Sequence, residues 1–237
     1  MKEVEDLLRR KKFASNHERK PLLVTLFKPK SPVSEQYRTL RTNILFSSVD
    51  KEPKTLLVTS TAPGEGKTTT AANLAIVFAQ QGKRVLLVDA DLRMPSLHEI
   101  FDIDNQKGLT TVLMKQTALE ETVVQRGEDT LHILTSGPLP PNPAELLGSR
   151  AFESFFTTAE ENYDIVIYDT PPVLVVTDAQ VIAHKCDGTI LVTSANKTEK
   201  QEAVKAKELL ENAGAKLLGA VLNQKQRRHP RYYYYHA

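Results

Sequence analysis

The sequence predicts an α/β fold, a doubly wound and mostly parallel sheet with helices on both faces. Two observations carry that prediction. From Lys54 onward, short apolar runs rich in β-branched residues alternate with longer stretches of helical spacing, the pattern of repeated βαβ units. The runs are also almost continuously apolar, as a sheet covered on both faces requires. They are Leu56 to Thr59, Val85 to Val88, Leu131 to Leu134, Ile165 to Tyr168, Ile190 to Thr193 and Leu217 to Leu222. Between them, Thr68 to Gln81, Pro143 to Glu161 and Glu199 to Ala213 have the spacing and length of helices, with right-handed crossovers expected. Ahead of the first strand, Ser31 and Pro32 read as the N-cap and first-turn proline of a helix reaching about Ser48.

Composition narrows the class further. A chain of 237 residues, 41% hydrophobic and 25% charged, excludes collagen-like, low-complexity and wholly disordered readings and suits a single α/β domain. Residues 1–30 read as a basic N-terminal arm or linker, 31–222 as the folded domain, and 223–237 as a flexible basic tail in which Pro230 excludes a continued helix. No apolar run approaches the ~20 residues of a membrane span. The first residues are charged throughout, unlike a secretory signal, so a cytoplasmic protein is expected. The single cysteine, Cys186, is expected to be a core thiol.

The formal charge of +2 is unevenly distributed. Residues 1–20 hold seven Lys/Arg against four Asp/Glu, and residues 223–237 hold four Lys/Arg and no acid, so the intervening body carries −5. Four of the seven tyrosines, Tyr232, Tyr233, Tyr234 and Tyr235, lie in the basic tail.

The first strand runs into Thr61-Ala62-Pro63-Gly64-Glu65-Gly66-Lys67-Thr68-Thr69 ahead of a helix. This matches a phosphate-binding P-loop except at its first glycine, where Thr61 stands. Glycines let backbone N–H groups close around phosphate oxygens, Lys67 supplies a cation and Thr68 offers a hydroxyl to Mg²⁺. Pro63, Gly64, Glu65, Gly66, Lys67, Thr68 and Thr69 are therefore the expected ATP-binding residues of the loop. The second and fourth runs end in Val88-Asp89-Ala90-Asp91-Leu92-Arg93 and in Tyr168-Asp169-Thr170-Pro171-Pro172. Ligands of an open parallel sheet bind beyond the carboxyl ends of its strands, so Asp89, Asp91 and Asp169 should converge on the phosphates held by Lys67. Mg²⁺ needs only one or two carboxylates, which leaves one for acid–base work.

These three segments resemble the bacterial protein-tyrosine kinases of capsule and exopolysaccharide synthesis, over roughly residues 34 to 237. The resemblance implies a P-loop NTPase of the deviant Walker, partition ATPase-like group that uses ATP and Mg²⁺. It implies Lys67, Asp89, Asp91 and Arg93 as catalytic residues, with Asp89 as the proton acceptor and Thr68, Asp91 and Asp169 at the metal; the sequence leaves Asp89 and Asp91 exchangeable. It implies Asn223, at the end of the last strand, as an adenine contact. The family's Glu-x-x-Arg-x-x-Arg helix, used in ring-shaped oligomers, is present as Glu35, Arg38 and Arg41. Its autophosphorylated terminal cluster corresponds to Tyr232 to Tyr235. Where the family often has Arg-Lys-Pro, this chain has Arg93-Met94-Pro95.

Without a membrane span in the sequence, the resemblance implies the split arrangement, in which a separate transmembrane adaptor recruits the kinase to the inner face of the membrane. Further expected partners are a ring-like homo-oligomer, a cognate tyrosine phosphatase and protein substrates in polysaccharide synthesis, with no nucleic acid. The competing class is the partition or septum-site ATPase, a nucleotide-switched assembly protein. Those ATPases carry an extra lysine five residues before Lys67, where this chain has Ala62. The septum-site members end in an amphipathic helix that this tail lacks.

Overall fold

The computed structural model describes residues 22–47, 52–195 and 197–225. The expectations for the first 21 residues and for Tyr232 to Tyr235 lie outside the described residues. A short helix α1 (Val24–Phe27) and a long helix α2 (Pro32–Phe46) precede β1 (Thr55–Ser60) and α3 (Lys67–Ala79). Then come β2 (Val85–Asp89), three short helices α4 (Leu97–Phe101), α5 (Leu109–Leu113) and α6 (Leu119–Thr122), and the strands β3 (Val124–Gln125) and β4 (Leu131–Leu134). The chain continues through α7 (Pro143–Leu147), α8 (Arg150–Asn162), β5 (Ile165–Asp169), α9 (Asp178–Ala183), β6 (Gly188–Ser194), α10 (Lys200–Asn212) and β7 (Leu217–Asn223).

The sheet order is β3-β4-β2-β5-β1-β6-β7, and every pairing is parallel except the short β3 against β4. The doubly wound α/β fold expected from the sequence is therefore present. Alternation along the strands feeds two cores: Leu57, Leu86 and Val88 face one helical layer, while Leu56, Val58, Val85 and Leu87 face the other. In the first core, Tyr168 is fully buried with its ring stacked on Phe156 at a centroid distance of 5.5 Å, and Cys186 is buried as expected.

The structure corrects three boundaries. The helix expected from Pro143 to Glu161 is two, because Gly148 ends the first and the Ser149 hydroxyl caps the second by accepting from Phe152 N–H at 3.3 Å. Part of the expected N-terminal arm, residues 22–30, belongs to the fold: Leu23 and Thr25 are fully buried. At the other end, Asn223 closes β7 instead of opening the tail, and its backbone oxygen accepts from Ala195 N–H at 2.9 Å.

Asn73, fully buried on α3, is what ties down the N-terminal segment. Its amide donates to Leu22 O at 2.6 Å and Thr69 O at 2.8 Å, and its oxygen accepts from Thr25 N–H at 3.0 Å and Thr25 Oγ1 at 2.8 Å. Removing this side chain leaves buried donors and acceptors unmatched, each at a cost of about 1–3 kcal/mol. Asn73→Ala should destabilise the domain by about 3 kcal/mol in urea unfolding; a loss below about 1 kcal/mol would show that the segment is held by packing alone.

Candidate active site

Register builds the site. Asp89 lies directly opposite Asp169 on neighbouring strands, and Val58 of β1 pairs with Asp169 on the other side, so the loop after β1 projects over both carboxylates. Lys67, the first residue of α3, reaches back to them: its Nζ is 2.8 Å from Asp91 Oδ2, 3.7 Å from Asp169 Oδ2 and 3.3 Å from Thr68 Oγ1. The structure thus brings Lys67, Thr68, Asp91 and Asp169 together, with Asp89 beside them on the adjoining strand.

The electrostatics follow from burial. Asp89 and Asp169 are both fully buried. Desolvation and then the neighbouring Asp169 charge push the Asp89 carboxyl up to about 8. Burial pushes Asp169 up to about 6 against the pull of Lys67. Burial by itself would weaken proton binding by Lys67, but Asp169 and Asp91 outweigh it and raise its pKa. Asp89 also organises backbone: Oδ1 accepts from Asp91 N–H at 3.2 Å, and Oδ2 from Ser96 and Leu97 N–H at 3.1 and 3.0 Å, which holds the first turn of α4. Asp91 Oδ1 accepts from Met94 N–H at 2.9 Å, folding the Asp91–Met94 turn onto itself.

A divalent cation suits this donor set. Both oxygens of Asp169 are buried without a hydrogen-bond partner, and three carboxylates face one ammonium. Among the described residues no group of three His, Cys, Asp or Glu side chains forms a metal cage. Mg²⁺ does not need one, since it takes one or two carboxylates and completes its shell with water and phosphate oxygens.

The phosphate loop is braced from within. Glu65, expected among the ATP-binding residues, is buried, and its carboxylate accepts from Thr61 N–H at 2.8 Å, Ala62 N–H at 3.0 Å, Thr61 Oγ1 at 2.7 Å and the Thr198 hydroxyl. Burial pushes this carboxyl upward, but the hydrogen bonds from Thr198, Ala62 and Thr61 outweigh it and hold its pKa below the usual value of 4.5. Gly64 and Gly66 adopt φ of 78° and 90°, where side chains are strained. A Cβ on Gly66 would come within 2.1 Å of Asn223 Nδ2. Asn223 therefore sits on the loop, donating to Glu65 O at 2.9 Å.

Arg93 is placed by a residue the sequence reading missed. Its Nε and one terminal nitrogen contact Asp178 at 2.9 and 3.0 Å, a bidentate pair with a fully buried carboxylate. On α2, Arg38 pairs with Glu35 at 2.5 Å on the surface, whereas Arg41 donates to Val77 O at 2.5 Å and so binds its own chain. Asp178, Ser96, Thr198 and Gln224 carry no motif; the only sequence signal is that each follows a strand end.

Two measurements test this geometry. Gly66→Ala should weaken fluorescent-nucleotide binding by at least about tenfold, because the positive φ and the Asn223 contact together cost more than about 1.4 kcal/mol; unchanged affinity would contradict the loop's placement. Glu65 stabilises the fold above its ordinary value of 4.5 and loses that effect as pH falls through its depressed folded value. Glu65→Gln should therefore unfold at lower urea than the parent at pH 7, with the gap closing as pH falls below the ordinary value of 4.5 and through the depressed folded one.

A family model described as "AAA domain" matches residues 54–211. Tyrosine-protein kinase YwqD of Bacillus subtilis is 54% identical over 214 residues, 90% of either chain. A putative tyrosine-protein kinase, CapB of Staphylococcus aureus, is 43% identical over 210 residues, 88% of this chain and 92% of that protein. In structure, the kinase domain of Escherichia coli tyrosine kinase ETK superposes with a TM-score of 0.83 at 33% identity, covering 91% of this chain and 84% of that one. With a braced phosphate loop, an acidic strand-end cluster and these relatives over nearly its whole length, the chain belongs to the bacterial protein-tyrosine kinases of the capsule-synthesis type.

Proposed function

We infer that this kinase transfers the γ-phosphoryl group of ATP to tyrosines of its own terminal cluster, Tyr232 to Tyr235, in trans within an oligomer, and thereby regulates capsular or extracellular polysaccharide synthesis. The observation that carries the reading is the convergence of Asp89, Asp91 and Asp169 on Lys67 at the end of the phosphate loop. A nucleotide switch needs a cation for phosphate and carboxylates for Mg²⁺; phosphoryl transfer to a hydroxyl also needs a proton acceptor.

Each residue then has a role. Backbone N–H groups from Gly64 to Thr69 hold the phosphate oxygens, and the Lys67 ammonium offsets the charge that develops on the transferred group. Thr68, Asp91 and Asp169 would hold Mg²⁺ directly or through its waters; the ion, when bound, neutralises phosphate charge. Asp89 takes the tyrosine proton, since a carboxyl whose proton affinity is raised by burial is a stronger acceptor once ionised. Arg93, held by Asp178, fixes the rim of the site, and Asn223 stands where the base approaches the loop.

Burial supports the tail as the target. Of the three tyrosines in the described fold, Tyr168 is fully buried, Tyr163 is 9% exposed and Tyr37 is half-buried on α2. From Asn223 to Tyr235 an extended chain reaches ~40 Å, far enough for a neighbouring subunit's site. Basic residues beside the tyrosines favour approach to an acidic centre, and each phosphate adds ~1.5–2 negative charges that favour departure. Glu35, exposed, and its partner Arg38, partly exposed, are the accessible part of the proposed oligomer contact. A transmembrane adaptor, a tyrosine phosphatase and other protein substrates complete the proposed setting at the inner membrane face; no helix among the described residues is long and apolar enough to cross a membrane.

Incubation with Mg-ATP and mass spectrometry of the terminal peptide tests the reading. Phosphate should appear on Tyr232 to Tyr235, and Lys67→Met or Asp89→Asn should reduce it at least about 100-fold with far-UV circular dichroism unchanged. A tail-less active chain should phosphorylate Lys67→Met protein that keeps its tail. ATP hydrolysis without phosphotyrosine would select the partition-type switch instead.

A further inference from the structure

Two side-chain amides at the end of β7 hold consecutive carbonyls of the phosphate loop. Gln224 Nε2 donates to Gly64 O at 3.0 Å, and Asn223 Nδ2 donates to Glu65 O at 2.9 Å. The orientation of both amides is itself determined. Ser194 Oγ donates to Gln224 Oε1 at 2.8 Å, and Gln224 N–H donates to Asn223 Oδ1 at 2.8 Å, which leaves each amide's NH₂ group for the loop. Gln224 adopts φ of 56°, a left-handed conformation that few non-glycine residues take without a local reason.

A trans peptide plane points its C=O and the following N–H in opposite directions. Holding Gly64 C=O on the β7 side therefore sends the N–H of Glu65 the other way, and holding Glu65 C=O does the same for the N–H of Gly66. Those N–H groups are among the ones a phosphate loop offers to its ligand. With φ of 78° and 90°, Gly64 and Gly66 give this stretch the freedom to rotate its peptide planes. The loop lacks its usual first glycine, and Glu65 braces only its opening half, at Thr61 and Ala62.

We propose that Gln224 is a positioning residue for the kinase reaction: together with Asn223 it orients the loop's phosphate-binding N–H groups by holding the Gly64 and Glu65 carbonyls. It acts through the loop and touches neither the base nor the phosphates. The proposal rests on the reading that the loop binds the phosphates of ATP, and it distinguishes Gln224 from a base contact. A residue that touches adenine affects nucleotides alone. A residue that orients phosphate-binding N–H groups affects any ligand with the same phosphates.

The test compares Mg-ADP and Mg-pyrophosphate as competitors of a fluorescent ATP analogue on the full chain and on Gln224→Met, a substitution close in shape that has no donor. Both probes should bind about 3- to 10-fold more weakly and by the same factor, as expected for one lost hydrogen bond. The KM for ATP should rise with kcat preserved, and the unfolding temperature without ligand should stay within about 2 °C of the parent. Should Gln224→Met fail to fold, Gln224→Leu, which also removes the donor and adds no charge, is read the same way. Weakening of ADP with pyrophosphate unaffected would make Gln224 a base contact and overturn the proposal. So would a lowered unfolding temperature with both affinities unchanged, which marks a purely structural residue. Failure of the unaltered chain to bind either probe would overturn the ATP reading and this proposal together.

Discussion

The site depends on one constraint: β2 and β5 are parallel and in a register that sets Asp89 against Asp169. Adjacent strands lie about 4.8 Å apart, so two fully buried carboxylates are forced to share a small volume of low dielectric. Neither can move away, because each closes a strand buried along its whole length. Their repulsion and desolvation are offset by the Lys67 ammonium and, at Asp89, by three backbone N–H groups. The remaining excess of negative charge is what a bound Mg²⁺ ion would neutralise. Affinity for the ligand and strain in the free site then have the same origin.

Around that cluster the chain supplies stiffness from both directions. Asn73 fastens the N-terminal segment to α3, the helix whose first residue is Lys67. Glu65 ties the opening of the phosphate loop to Thr198 beyond β6, and the amides of Asn223 and Gln224 at the end of β7 tie its middle. Strand ends on the far half of the sheet thus take over the job of shaping a loop that departs from the usual pattern at Thr61. A site assembled on rigid elements in this way keeps its donors aimed before the ligand arrives.

Much of this was legible in the sequence because it rests on local pattern. The buried strands read as apolar runs, Ser31 and Pro32 marked the start of α2, and Asp89, Asp91 and Asp169 stood out as acids at strand ends. What escaped was non-local or short. The edge strand β3 and helices α4, α5, α6 and α9 span two to six residues, too few to show a period. The partners of Glu65 and Gly64 lie 133 and 160 residues away in Thr198 and Gln224, and no spacing rule links them. Arg93 was legible as part of a motif, but Asp178, which holds it, was not. Arg41 reads as a surface charge by helical position, yet in the fold it reaches a carbonyl of α3.

The central claim is that Lys67, Thr68, Asp91 and Asp169 form a metal–nucleotide centre over the Asp89–Asp169 pair. A crystal structure of the full chain with Mn²⁺ and ADP, read by anomalous scattering, tests it most directly. The account predicts one strong manganese peak within coordination or single-water distance of Thr68 Oγ1 and the carboxylates of Asp91 and Asp169, with Lys67 Nζ on the phosphates. A peak elsewhere, or ADP bound with no metal at this cluster, would contradict it.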